Sequence, residues 1–494
     1  MILWVLVSAL LSSCAKQPDD AIRFGLSSAP ISLDPRFATD AASARLNRLL
    51  YHRLVDFDDS SRPIPSLASW EALTPVHYRF SLKENGRQFQ NSRFQKNKSL
   101  STADVKATYD YILKSENASP HRASISLIRD IRVVDEDTID FYLDRPDPLF
   151  PGYLVIGILP AEAVQSGRKF DRMSMGSGEF SFLDWPEDGL IRLKRRSDNQ
   201  IFEFIHVGDA TVRVLKLLRG EIDLLQNDLP RELVSYLEKQ DGHKVVHRGG
   251  SNFTYIGFNT QDPVLKIDGV RQAIAYAINR DEIIKYVMGG KTRKANALLP
   301  PDHWAGNPSL QAYEYNPGRA RELLSKLGYN VDQPLSITYK TSSDPFRIRI
   351  ATIIQQQLAE VGIKVDLRSY DWATFYGDIK EGRFQMYSLS WVGIKSPDIF
   401  RYVFHSTAVP PAGANRGRYN NSKVDQLIEQ AEKGVDQAER AEVYRKLQEE
   451  LLMTLPYVPL WYEEHFYAAA SSIDGYTLAV DGNYDGLIYV HRTQ

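Results

Sequence analysis

Three stretches of this chain hold the residue types from which catalytic or metal chemistry is built, and each fails a spacing test. Gly176-Ser177-Gly178 puts a hydroxyl between glycines. A nucleophilic serine of that kind needs a strand-to-helix elbow of the form Gly-x-Ser-x-Gly, which is missing, so Ser177 is expected to be structural. Glu463-Glu464-His465 is compact but lacks the spacing of a helical metal site. Asp56-Phe57-Asp58-Asp59 resembles part of a calcium loop without its glycine or its closing glutamate. No His-Glu-x-x-His pair and no phosphate-cradling Gly-x-x-x-x-Gly-Lys segment occurs. Carboxylates are abundant, but nothing singles out a glycosidase pair. The expectation is a protein that is no enzyme, with no catalytic residue, cofactor or metal site.

Binding without turnover has to be positioned by the fold, and residues 335–395 carry the clearest pattern. Leu335–Tyr339 reads as a strand. Over Arg347–Val361, residues Ile350, Ile353, Ile354, Leu358 and Val361 share one helical face, and Gly362 is the stop signal. Ile363, Val365 and Leu367 alternate as a strand. Asp371 caps a helix carrying Trp372, Phe375, Tyr376 and Ile379, and Phe384–Trp391 is strand-like again. Two consecutive β-α-β units imply parallel strands with right-handed crossovers. Ligands bind beyond the carboxyl ends of such strands. The topology therefore points at the loops Lys340–Phe346, Ser369–Asp371 and Val392–Ser396.

Elsewhere, Ile22–Leu26 is a short strand, Ala41–Leu54 has leucines at helical spacing, and Tyr78–Leu82 alternates. Ser101-Thr102-Ala103-Asp104 opens a helix with a capping box, and Arg132–Val134 with Thr138–Leu143 forms a hairpin. Gly176–Phe180 reads as a glycine-rich link between units. Helices are expected at Ala210–Arg219, Val270–Val287, Gly318–Leu327, Val424–Lys433 and Gln437–Leu452.

Composition agrees with a folded, mixed α/β protein. The 494 residues are 43% hydrophobic and 25% charged, with 30 Gly and 25 Pro. Sixty Lys plus Arg against 62 Asp plus Glu leave a net charge of -2, which argues against nucleic acid as a partner. The one cysteine, Cys14, excludes an internal disulfide. Residues 1–13 form an apolar run too short to span a membrane, and Leu11-Ser12-Ser13-Cys14 resembles a bacterial lipobox. No Lys or Arg precedes that run. Residues 1–14 are expected to be a lipoprotein signal peptide ending at the lipidated Cys14, and 15–21 a tether. That places the body in the periplasm, anchored by lipid to a bacterial membrane.

Several motifs in order carry a resemblance: Ser32-Leu33-Asp34-Pro35, Ser101-Thr102-Ala103-Asp104-Val105, Gly176-Ser177-Gly178, Gly220-Glu221-Ile222-Asp223, Tyr255-Ile256-Gly257-Phe258-Asn259-Thr260, and Val270–Arg280. Together they are similar to the bacterial extracellular solute-binding proteins of family 5, which include the peptide- and nickel-binding components of ABC importers. The resemblance implies an α/β, periplasmic-binding-protein-like two-lobed clamp (class II, cluster C type) with an inserted third domain. Lobe I would comprise 22–55, 175–252 and 465–494, the insertion 56–174, and lobe III 253–464. A monomer is expected, binding a small-molecule or peptide ligand between lobes and delivering it to ABC permease subunits.

The resemblance also implies a departure. In peptide-binding members an aspartate soon after the tryptophan at the strand end pairs with the peptide's α-ammonium. Ile394 stands at that place here, with Lys395 beside it. The arginine that dipeptide binders use for the carboxylate is absent from Lys340–Pro345. Peptide remains the first reading. The alternatives are a modified peptide, an opine-like or sugar-like conjugate, or a sensing or chaperone receptor not dedicated to import. The ligand-binding residues expected are Ser28, Tyr255, Trp391, Gly393, Asn415 and Arg416. Trp391 would stack and Arg416 would clamp an anionic group with its planar fork. The plainer fates are core packing for Trp391 and Tyr255, a simple turn for Ser28, and a solvated surface for Arg416.

Overall fold

The computed structural model describes residues 20–84, 88–89, 98–434 and 436–493. Cys14 and most of the expected tether lie outside them. Two long strands, His243–Phe258 and Tyr457–Ala470, run antiparallel and hold the sheet together. Both are rich in β-branched and aromatic residues. Their register shifts between Gly249 and Phe253, an irregularity at which strands bend.

Each half of the pair carries its own strands. Beyond the shift, Met386–Trp391, Leu335–Ser342 and Ile363–Tyr370 add in that order to His243–Phe258. Before it, Leu224–Gln226, Ile22–Leu26, Ile201–His206, Leu190–Arg195 and Phe180–Glu187 add in that order to Tyr457–Ala470. With Arg293–Lys294 paired off this path, the sheet has 11 strands among the described residues. A separate four-stranded sheet orders Ala68–Thr74, His77–Leu82, Thr138–Leu143 and Ile128–Val133. Helix Thr102–Leu113 adjoins it, and the capping box at Ser101 and Asp104 is formed.

The β-α-β expectation holds. Leu335–Ser342 pairs in parallel with both Ile363–Tyr370 and Met386–Trp391. Helix Pro345–Ala359 starts where the Asp344 side chain accepts from the Arg347 amide, and it buries Ile350, Ala351, Ile354 and Leu358. Each full burial of a large apolar side chain contributes about 1.5–3 kcal/mol. The helix hands over to the next strand through Gly362 at φ 91°, where a Cβ would lie 2.8 Å from the Asn330 carbonyl carbon. Asp371 caps the following helix through the amides of Ala373 and Thr374.

Two helix boundaries differ from expectation. The helix from Ala41 ends at Leu50 because Tyr51 is extended, its amide closing the last turn on Asn47. Val270–Val287 is two helices, Asp268–Ala277 and Arg280–Tyr286. Asn279 breaks the run by capping the second through the Glu282 amide. No helix among the described residues is long and apolar enough to cross a membrane.

Candidate functional site

Strand direction gathers one set of ends. Trp391 closes Met386–Trp391 opposite Phe253, and Gln226 closes Leu224–Gln226 opposite Tyr467. The carboxyl ends of both halves of the sheet therefore point at the shifted segment of the long strands. At that edge Trp372 and Val392 are each 58% exposed, and Phe346 and Tyr402 are exposed nearby in sequence to the same strand ends. Large apolar side chains left in water together mark a binding surface.

Beside this edge lies a cavity of about 520 Å³. Arg248 and Ser251 of the long strand line it, together with Ile394 and Lys395 from the loop after Trp391 and Val480 and Asp481 from the C-terminal segment. The volume lies in the range of small-ligand sites, about 300–1,000 Å³. Its charges are paired. Arg48 bonds Asp485 at 2.7 Å and Asp56 at 3.2 Å, Arg248 bonds Asp59 at 2.6 Å, and Lys395 pairs with Asp481. Burial alone would raise Asp481, but Lys395 and Arg48 bring it down to about 2. Asp56 is likewise held well below the carboxylate range by Arg53 and Arg48 against the cost of its burial.

His303 anchors the Lys395 loop. Its Nε2 donates to the Lys395 carbonyl at 3.3 Å while Nδ1 accepts from the Ala305 amide at 3.0 Å. Burial pushes its pKa down to about 4. The folded protein thus refuses a proton that the unfolded chain accepts below about 6.5, so stability is present above that pH and lost as pH falls towards 4. Between pH 7 and pH 4 the wild type should lose about 3 kcal/mol more than His303→Gln. Urea unfolding of both proteins at the two pH values checks it, and equal losses would contradict it.

A second cluster spans the long strands. Glu463 Oε1 accepts from Thr254 Oγ1 at 3.0 Å, Ser390 Oγ at 2.8 Å and Arg347 Nη2 at 2.9 Å. Desolvation would raise this carboxyl, but the arginine and the two hydroxyls hold it below its ordinary value. Arg347 sits in the first turn of the helix after Leu335–Ser342, so the cluster ties that helix to both long strands and to Met386–Trp391.

Of the residues expected to bind ligand, Ser28 and Gly393 are exposed at the converging ends. The Gly393 amide donates to Asn252 Oδ1 at 3.3 Å. Trp391 is half-buried at the same edge, with the Arg416 guanidinium 4.6 Å from its ring centroid. Two expectations are corrected. Tyr255 is 0% exposed, stacked on Tyr457 at 3.9 Å, because its strand is central in the sheet and covered on both faces, Thr254 and Ile256 being buried with it. Asn415 is 2% exposed and spends its side chain on the His405 and Tyr419 carbonyls and the Tyr419 amide. Its side chain shapes the loop.

Of the motifs that fail their spacing tests, Asp56-Phe57-Asp58-Asp59 lines the cavity. Ser177 is fully buried. Asp58 caps its own turn through the amides of Ser60 and Arg62, and Glu464 lies 3.2 Å from His247. No group of three or more His, Cys, Asp and Glu among the described residues could hold a metal ion. Sequence reading missed Lys395–Asp481 and Arg347–Glu463 as pairs, because nothing local announces a partner so distant in the chain.

Residues 63–410 match the family model of the bacterial extracellular solute-binding proteins, family 5 Middle. The dipeptide-binding protein of Escherichia coli K12 is 27% identical over 91% of this chain and 90% of its own. Heme-binding protein A of Haemophilus influenzae is 27% identical over 91% of this chain and 88% of its own. The periplasmic binding protein DppA of Helicobacter pylori, solved with the peptide STSA, is 27% identical. It superposes with a TM-score of 0.79 over 96% of this chain and 98% of that one.

Proposed function

The chain belongs to the bacterial extracellular solute-binding proteins, family 5, and from that premise we propose that it is the substrate-binding component of an ABC importer for peptides or peptide-like solutes. The observation that carries this reading is the cavity of about 520 Å³ at the register shift, whose walls include residues joined to both halves of the sheet. A solute there touches both sides only when they are together, and that difference in contact, rather than binding itself, moves the population towards closure. The lobes on this reading are 22–55 with 175–252 and 465–494, and 253–464, with 56–174 inserted. The register shift between Gly249 and Phe253 supports a hinge at that crossing. Ser28, Trp391 and Gly393 would line the cleft. The chain releases the solute unaltered to membrane permease subunits, and the protein acts as a monomer.

Native mass spectrometry of purified protein tests the assignment. A retained peptide, released intact on denaturation, is the expected result, and a retained compound with no peptide bond would contradict it. One feature favours a modified peptide as the second reading. Ile394 is buried and the Lys395 ammonium is taken by Asp481, so the place of the pairing aspartate holds no carboxylate, and Asp398, four residues further on at the start of helix Ile399–Phe404, could take its role only if the loop reshaped. A retained solute with a blocked amino terminus would select that reading.

The lipobox supports anchoring through Cys14. Cys14→Ser is expected to move the protein from the membrane to the soluble fraction. Continued fractionation of the variant with membranes would remove the anchor.

A further inference from the structure

Most buried arginines of this chain are matched. Arg36 forms a two-pronged pair with Asp34 at 2.9 and 2.7 Å. Arg280 donates to the carbonyls of Ala295, Pro459 and Tyr313 at 2.6, 3.1 and 2.7 Å. Arg213, like Arg280, is buried on carbonyls alone, whereas Arg416 bonds neither a carboxylate nor a carbonyl among the described residues. Arg416 is 7% exposed, and no carboxylate lies within ion-pair reach among the described residues. Its bonds go only to two phenols, Tyr255 and Tyr376, each at 3.2 Å. Burial pushes the Tyr387 and Tyr457 hydroxyls that adjoin Tyr255 well above their ordinary range. None of these partners is a carboxylate, so the guanidinium is held only by two hydroxyls and by the faces of Trp391 and Tyr376.

A second donor in the same cage is also unanswered. Trp391 Nε1 is buried and has no hydrogen-bond partner, and its ring lies under the guanidinium at 4.6 Å. A buried cation without a counter-ion and an orphaned N–H are both costly, and both are answered by one acceptor carrying negative charge. The cage is built at the converging strand ends. Trp391 closes its strand, and Tyr376 stacks on the exposed Trp372 at 5.4 Å. Arg440 is buried and also lacks a carboxylate partner, but it stands against Trp304 near the start of helix Gln437–Thr454, remote in sequence from those strand ends.

We propose that Arg416 and Trp391 form an anion subsite at the rim of the cleft, and that the solute places a carboxylate there beside an apolar group resting on Trp372. This rests on the solute-receptor reading and names the chemical class of what is received: an acid. Tyr255 and Tyr376 are positioning residues that aim the guanidinium. The planar fork offers two parallel donors to a carboxylate, a geometry that an ammonium does not reproduce.

Phenylacetate and phenylacetamide share a ring and differ in charge, which isolates the subsite from the rest of the solute. Tryptophan fluorescence titration of the mature protein is expected to show phenylacetate binding at least tenfold more tightly. Arg416→Gln should erase that preference and Arg416→Lys restore part of it, with all three proteins melting cooperatively. Equal binding of acid and amide, no binding of the acid, or a preference that survives Arg416→Gln in a folded variant would each overturn the subsite. A parallel titration with the tripeptide Ala-Ala-Phe and its C-terminal amide separates the two readings. Equal binding of both forms keeps the peptide receptor and discards the anion subsite. Preference for phenylacetate with neither tripeptide bound keeps the subsite and discards the peptide.

Discussion

Gly176→Ala is expected to destabilise the protein by more than about 3 kcal/mol, enough to leave much of it insoluble on expression. A Cβ at this position would lie 1.8 Å from the Leu50 carbonyl oxygen and 2.7 Å from its carbon. Neither atom can retreat cheaply. The same carbonyl accepts from the Gly178 amide at 2.9 Å, and Tyr51 behind it is fully buried. The close approach of two backbones fixes where the chain re-enters the main sheet at Phe180, so the damage spreads to every strand that follows. Gly377 is the contrast. It lies within helix Trp372–Glu381, and a Cβ added there would meet nothing within 4 Å. Gly377→Ala should therefore gain about 0.5–1 kcal/mol from helix propensity. Thermal unfolding of the two variants decides the matter, and a soluble Gly176→Ala that melts with the wild type would contradict it.

Arg347→Met is expected to cost about 2–3 kcal/mol at pH 8 and visibly less at pH 5. The variant strips Glu463 of its cation while Thr254 and Ser390 still hold the carboxylate in place. Breaking a fully buried pair costs about 3–5 kcal/mol, and this pair keeps 31% and 28% side-chain exposure, which reduces the figure. The sign with pH follows from the proton. In the wild type Glu463 is held below its ordinary value, so the stabilisation is present above about pH 4.5 and lost as pH falls through the lowered value. Without Arg347 only the two hydroxyls oppose the burial contribution, so the carboxyl rises and protonation in mild acid relieves the defect. Glu463→Gln should be milder, since a neutral amide still accepts from both hydroxyls. Urea unfolding at pH 5 and pH 8 measures the difference, and an equal loss at both would contradict this account of the cluster.

The elements that read correctly from sequence are those whose cause is local. The capping box at Ser101, the cap at Asp371, and the helical face of Ile350, Ile354 and Leu358 are set by neighbours two to four residues away. The Val270–Val287 run misled because its apolar spacing is continuous while the Asn279 cap, also local, overrides it. Tyr255 misled for a different reason: its strand lies in the middle of the sheet with both faces covered, which no local pattern around Tyr255 reveals. The edge where the parallel strands end was legible from the pattern, but the charge pairs beside it were not. Lys395 and Arg347 stand out as cations in the chain, yet Asp481 and Glu463 become their partners only when the C-terminal segment and the long strand fold back across the sheet. Arg416 was expected to clamp a ligand, with a solvated surface as the plainer fate, and nothing in its own loop reveals the tyrosines that bury it.

Small-angle scattering of the purified protein, with and without a saturating solute whose binding has been established independently by calorimetry, tests the central claim most directly. A cleft that shuts on its occupant predicts a smaller radius of gyration, with the change complete at one solute per chain. Identical scattering profiles for the empty and the saturated protein would contradict it.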